Sequence, residues 1–114
     1  MPFQPFHRSC CDITVDQFGT LRCRARRDDG TFRDASMDLN ESIGNIDGYL
    51  SWAGRFFGRS AEDIKFGVEG DQGDQAMLRA RVITEDGDKQ DSELNLGEEI
   101  GNHNGQLYRR NWTF

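Results

Sequence analysis

The sequence repeats itself, and no other feature constrains its fold as much. Met37 to Trp52 (MDLNESIGNIDGYLSW) returns as Leu94 to Arg109 (LNLGEEIGNHNGQLYR) at an offset of 57 residues with no gap. Across it Leu39 answers Leu96, Ile43-Gly44-Asn45 answers Ile100-Gly101-Asn102, and Gly48 and Leu50 answer Gly105 and Leu107. Upstream, Phe6 to Ser9 with Asp12-Ile13 matches Phe57 to Ser60 with Asp63-Ile64 at an offset of 51, and the strand beginning at Leu21 matches the one at Leu78. This is an internal duplication, with copies at about 6–52 and 57–109. A chain of 114 residues has the material of one domain, 1–114, so the two copies are expected to share a single core.

The local pattern within each copy is β. Asp47-Gly48 and Asn104-Gly105 supply the two φ > 0 residues of a type I′ turn between apolar flanks. Leu21, Cys23 and Ala25 alternate with Arg22, Arg24 and Arg26, which puts the first three on a buried face and the arginines outside. Asp29-Gly30 and Asp86-Gly87 close these strands with hairpin signals at the same place in each copy. No helical periodicity of ten residues appears, so helix is expected only as single turns, notably at Asp38–Glu41 and Asn95–Glu98. The six residues that change the offset from 51 to 57 lie within Phe66–Gln75, whose glycines and acids predict a longer loop. Ala53-Gly54-Arg55 reads as a hinge between copies. Met1 to Pro5 reads as an extended lead-in, and the apolar tail ending in Trp112 and Phe114 is expected to pack back on the body.

Composition narrows the function. Fourteen basic against twenty acidic residues give a net charge of −6, which opposes phosphate backbones and anionic membranes and favours neutral partners. The arginine stripe is expected to be a solvated face balanced by acids. The acidic stretches Glu69–Asp74 and Glu85–Asp88 lack the spacing of a calcium site, so no metal or cofactor is expected. Three cysteines, two of them adjacent, do not make a disulfide framework; with no secretory or membrane-spanning run, a reducing, cytoplasmic setting is the simplest reading. His7 near Cys10 and Cys11 lacks an orienting partner or oxyanion element, and catalysis is not expected.

Taken together, Phe6 to Ser9, the Leu21 strand, Ser36-x-Asp38-Leu39-Asn40, the Ile43-x-Asn45-x-Asp47-Gly48-x-Leu50-x-Trp52 run and their echoes resemble the cyanovirin-N homology family over nearly the whole chain. The resemblance implies an elongated all-β, tandem-repeat fold of two pseudo-symmetric halves, each a three-stranded sheet with a β-hairpin, joined by short 3-10 turns. The halves would not follow the repeats: half A would comprise about 1–42 plus 99–114, and half B about 43–98. It implies a lectin of the mannose-recognising kind, acting on mannose oligosaccharides or glycoproteins. Carried over residue by residue, the half B site comprises Gly44, Asn45, Asp47, Arg59, Ser60, Thr84 and Glu85. The half A site comprises Arg8, Ser9, Arg26, Asp28, Asn102, His103 and Asn104. Arg26 and Asn104 stand where the family pattern has acids, which shifts weight to half B. The family's half-cystine positions fall on Cys10, Ala25, Ala61 and Val82, so neither family bridge can form, and a Cys10–Cys23 link stays open. The fold is therefore expected to survive reduction.

The residue types suit the task. A hexose hydroxyl pair both donates and accepts, and carboxylates and amides answer it with fixed, planar groups. Held in and beside a two-residue turn, Asn45 and Asp47 would lose little entropy on binding. The competing reading of this pair is that it only builds the turn, since Asn and Asp favour tight turns for conformational reasons; with the resemblance, both roles are expected together. A family member that has kept the fold as a structural or protein–protein module without sugar binding is the alternative. The chain is expected to be mostly monomeric, with a swapped dimer accessible through the hinge at Ala53-Gly54.

Overall fold

Hairpins account for almost all of the chain. The computed structural model describes residues 3–110, and among them run β1 (Cys10–Val15), β2 (Thr20–Arg26), β3 (Phe32–Asp38), β4 (Gly44–Ile46), β5 (Tyr49–Ser51), β6 (Ala61–Glu69), β7 (Gln75–Ile83), β8 (Lys89–Asn95), β9 (Ile100–His103) and β10 (Gln106–Arg109). They form two three-stranded antiparallel sheets, β1-β2-β3 and β6-β7-β8, and two two-stranded hairpins, β4-β5 and β9-β10. Among the described residues, helix is confined to 3-10 turns at Phe6–Arg8, Leu39–Glu41, Phe57–Ser60 and Leu96–Glu98. Asp38 and Asn95 cap the second and fourth of these by accepting from the Asn40 and Gly97 amides. The chains of each copy cross over in space: β10 packs on β3, and β5 on β8.

The turns are as local chemistry dictates. Asp47 and Asn104 sit at φ 49° and 50°, followed by Gly48 at 86° and Gly105 at 88°, the type I′ geometry. At Arg27–Gly30 and Thr84–Gly87 the turn is instead closed from the fourth residue's amide to the first carbonyl, at 3.0 Å in both, with only the glycine left-handed. A third turn of this kind, Asp16–Gly19, joins β1 to β2 and carries no Asx-Gly pair to announce it. Asp12 and Asp63, both at φ 53°, lie in matching bulges where the β1–β2 and β6–β7 registers shift.

One expectation is corrected. The six extra residues of the second copy do not make a long loop; they lengthen a hairpin. Phe66, Gly67, Val68 and Glu69 pair with Leu78, Met77, Ala76 and Gln75, and only the five residues from Gly70 to Asp74 remain as the turn. Strand pairing wins here because Met77 and Leu78 opposite are buried and supply an apolar ladder partner. Arg79 then closes the extension by bonding both carboxylate oxygens of Glu69.

The interior is one cluster built from equivalent positions of the two copies, including Phe6 and Phe57, Leu21 and Leu78, Leu39 and Leu96, and Ile43 and Ile100, all fully buried. Polar side chains cross-link the copies around it. Gln17 clamps both backbone groups of Ile64 (2.8 and 3.1 Å), and Asn40 Oδ1 accepts from Gly58 N (2.8 Å) while its Nδ2 donates to Phe18 O (2.7 Å). The outward arginines are met by acids: Arg22 by Asp16, Arg79 by Glu69 and Glu93, Arg81 by Asp91. Pro5 bridges Gly101. Trp112 and Phe114, expected to pack on the body, lie outside the described residues.

His7 is buried, with Nε2 2.9 Å from the Gly73 carbonyl of the β6–β7 turn. Burial, with the neighbouring Arg8 charge adding to it, holds its pKa below the ordinary 6.5 despite the opposing bond to Gly73. The folded state thus takes up its proton less readily than the unfolded chain. Its stability contribution is complete above pH 6.5 and is lost as pH falls below that value. Asp16, Asp29, Glu62 and Glu69 are lowered by their hydrogen-bond partners and add their loss only at more acid pH. Denaturant midpoints should therefore fall between pH 7.5 and 5.5 in the wild type and stay level in His7→Gln, which keeps a donor for Gly73 without titrating. An equal fall in both would assign the effect elsewhere.

The three cysteines are free thiols. Cys10 pairs with Ala25, which sets its side chain diagonal to Cys23 on the same sheet face. The hydrogen bond between these thiols, then burial, push Cys10 above the ordinary thiol range. Since the core is apolar and contiguous, reductant should leave the thermal midpoint unchanged. A fall of about ten degrees or more would instead reveal a structural bridge, whose loss typically costs about 2–5 kcal/mol.

Candidate functional site

Each two-residue turn is braced by the asparagine that precedes it. Asn45 Nδ2 donates to Ser60 Oγ (2.9 Å) and to Ile83 O (2.8 Å), while its Oδ1 accepts from Gly48 N (2.7 Å). Asn102 does the same: Nδ2 to Ser9 Oγ (2.8 Å) and Arg26 O (3.0 Å), Oδ1 from Gly105 N (2.8 Å). One amide thus ties a hairpin, a 3-10 turn and a strand end together, and it has neither proton left to donate. The turn residue then reaches a second loop: Asp47 Oδ1 accepts from Glu85 N and Asn104 Oδ1 from Asp28 N, both at 2.9 Å. The glycines that follow are required by contact as well as by φ. A Cβ at Gly48 would lie 2.7 Å from Gln90 Nε2 and 2.8 Å from Thr84 Cγ2.

These bonds bring Gly44, Asn45, Asp47, Ser60, Thr84 and Glu85 into one neighbourhood. Arg59 stacks its guanidinium 4.3 Å above the Phe56 ring and makes no bond to Asn45 or Asp47. At the other end Ser9, Arg26, Asp28, Asn102 and Asn104 line a concavity of about 390 Å³. Arg8 reaches the other way, to Gln72 O at 3.3 Å, and His103 shares a separate shallow surface with Gln106, Leu107 and Tyr108. Arg27 and Gly30 line the same concavity without having been singled out from sequence; their position in the turn after Arg26 was the signal. The two ends differ in chemistry. Asp47 keeps a second carboxylate oxygen for an incoming donor, whereas Asn104 offers an amide N–H₂ at the matching place. Among the described residues, no three His, Cys, Asp or Glu side chains gather as a metal site, and no helix is long and apolar enough to cross a membrane.

Duplicated antiparallel sheets with an amide-braced hairpin for each copy define an all-β, tandem-repeat fold. The profile of the CVNH domain matches residues 6–108. A cyanovirin-N homolog of Neurospora crassa is 38% identical over 105 residues, covering 90% of this chain and 95% of that one. The structure of a CVNH protein of Gibberella zeae superposes with a TM-score of 0.81 at 36% identity, over 91% of this chain and 95% of the other. Microvirin, solved as a complex with mannobiose, superposes with a TM-score of 0.81 at 27% identity over 96% and 99% of the two chains. This chain belongs to the CVNH family, a family of lectins.

Proposed function

We propose that the protein is a non-catalytic lectin for mannose-rich glycans, with its principal site at the β4–β5 hairpin of half B (about 43–98) and a second, altered site in half A (about 1–42 plus 99–114). The observation that carries this reading is Asp47: one carboxylate oxygen is fixed by the Glu85 amide, the other is open, and the turn beneath is held by the three bonds of Asn45. An acceptor fixed before the ligand arrives loses little freedom on binding. Microvirin's mannobiose complex supports the same class of ligand. An amide NMR titration with mannobiose tests it. Shifts at Asp47, Ser60 and Glu85 are expected, and a spectrum that does not move would leave the alternative, a fold kept as a structural or protein–protein module.

We also propose that the protein is mainly a monomer, because the flexible glycine hinge at Ala53-Gly54 lets the chain close on itself. Sedimentation at micromolar concentration should show monomer; a solution of dimer alone would mean that the hinge favours exchange between chains.

A further inference from the structure

Each hairpin turns its free edge to the outer strand of a three-stranded sheet, and the two copies hold that edge differently. In half B the edge is β5, which packs on β8. Leu50 stands opposite Asn45 in a non-hydrogen-bonded pair, so its N–H points away from β4 and donates to Ser92 Oγ at 3.0 Å. The carbonyl of Gly48, two residues back, accepts from Gln90 Nε2 at 2.7 Å. Gln90 and Ser92 are likewise two apart on β8, so their side chains share the face turned to the hairpin. A hydroxyl and an amide thus stand where a third strand would place a carbonyl and an N–H.

The first copy lacks both groups. At an offset of 57, Arg33 stands in place of Gln90 and Ala35 in place of Ser92, while Gly105 and Leu107 answer Gly48 and Leu50. Leu107 faces Asn102 as Leu50 faces Asn45, so its N–H also points outward, but Ala35 has no hydroxyl to receive it. Arg33 lays its stem on the turn, where a Cβ on Gly105 would lie 2.7 Å from Arg33 Cδ, and donates from Nε to Asp34 O at 3.3 Å. That is packing, with no counterpart of the Gln90 bond among the described residues. The β9–β10 hairpin therefore has its asparagine brace and its apolar contacts, and the β4–β5 hairpin has two further bonds along its edge.

We propose that Gln90 and Ser92 are positioning residues for the half B sugar site, acting through the hairpin that carries Asp47. Gly48 follows Asp47 directly, and Leu50 lies three residues on, so the two bonds to β8 grip the strand that leaves the turn. Asn45 and Asp47 tie the turn to Ser60, Ile83 and Glu85. Held from both directions, the open carboxylate oxygen of Asp47 keeps its place before the ligand arrives, and little order remains to be imposed on binding. In half A the ligand must impose that order itself, which adds a second reason, beside Asn104, for half B to be the stronger site. The positioning role rests on the lectin reading; the difference in how the two hairpins are held does not.

The test combines calorimetric titration with mannobiose and amide hydrogen exchange. Gln90→Met with Ser92→Ala removes both bonds and keeps the longer stem. It should weaken mannobiose binding roughly three- to tenfold and speed exchange of the Leu50 amide about tenfold or more. Ser92→Thr keeps a hydroxyl and should bind as the wild type does. Val15→Ala in β1 lowers stability without touching the hairpin and should leave the affinity unchanged, which separates positioning from a general loss of stability. In the wild type the Leu107 amide should exchange faster than that of Leu50, and Arg33→Gln with Ala35→Ser should slow it. Equal exchange at Leu50 and Leu107, a double variant that binds as tightly as the wild type, or an equal loss of affinity in Val15→Ala would each overturn the proposal. A wild type that does not bind mannobiose would remove the lectin reading and the positioning role together, whereas a wild type that binds no better than the double variant removes the positioning role alone.

Discussion

Asp47→Ala should weaken mannobiose binding roughly ten- to a hundredfold, and Asn104→Ala should weaken it less. The truncation removes a charged acceptor that bonds a sugar hydroxyl, a loss on the order of 1.5–3 kcal/mol. Calorimetric titration of both variants checks it. The turn needs separate controls, because Asp47 sits at φ 49° and also accepts from Glu85 N. Asp47→Asn retains the left-handed preference and one acceptor oxygen while removing the charge. Asn45→Ala addresses the brace: it strands Gly48 N and Ile83 O, so it should lower stability and binding together. If Asp47→Asn binds as the wild type does while Asn104→Ala abolishes binding, the second site carries the function and the order of the two is reversed.

Phe57→Ala should cost about 3–5 kcal/mol of stability, the range for truncating a fully buried aromatic ring. Against a total of about 5–15 kcal/mol for a small domain, that is a large share. Phe57 opens the 3-10 turn after the linker and lies against the β1–β2 turn, where a Cβ on Gly19 would come within 3.1 Å of its ring. The ring therefore joins the start of the second copy to the first. Phe6→Ala, its counterpart, should cost a similar amount, since Phe6 is equally buried and packs beside Phe66 at 6.4 Å between centroids. Urea unfolding of the two variants decides the matter, and a loss under about 1 kcal/mol in either would mean that the copies do not depend on one shared interior.

The duplication, the all-β class, the I′ turns at Asp47-Gly48 and Asn104-Gly105, and the inward face of Leu21, Cys23 and Ala25 were legible in the residues alone. All of these rest on preferences that act within a few residues: a left-handed φ, a period of two, an Asx cap. Other features depended on what faces a residue across space. Phe66 to Glu69 looked like loop because glycine and acid dominate locally, and they became strand because Met77 and Leu78 lie opposite. Asn45 was expected to shape its own turn, and only the fold shows that it also braces elements whose residues lie 15 and 38 positions away. Arg22 and Arg79 are the same residue at the same place in the repeat, yet only the tertiary structure shows one pinned between two carboxylates and the other paired with one. Backbone preference is written along the chain, but the partners of a hydrogen bond or an ion pair are chosen by which strands the shared core brings side by side.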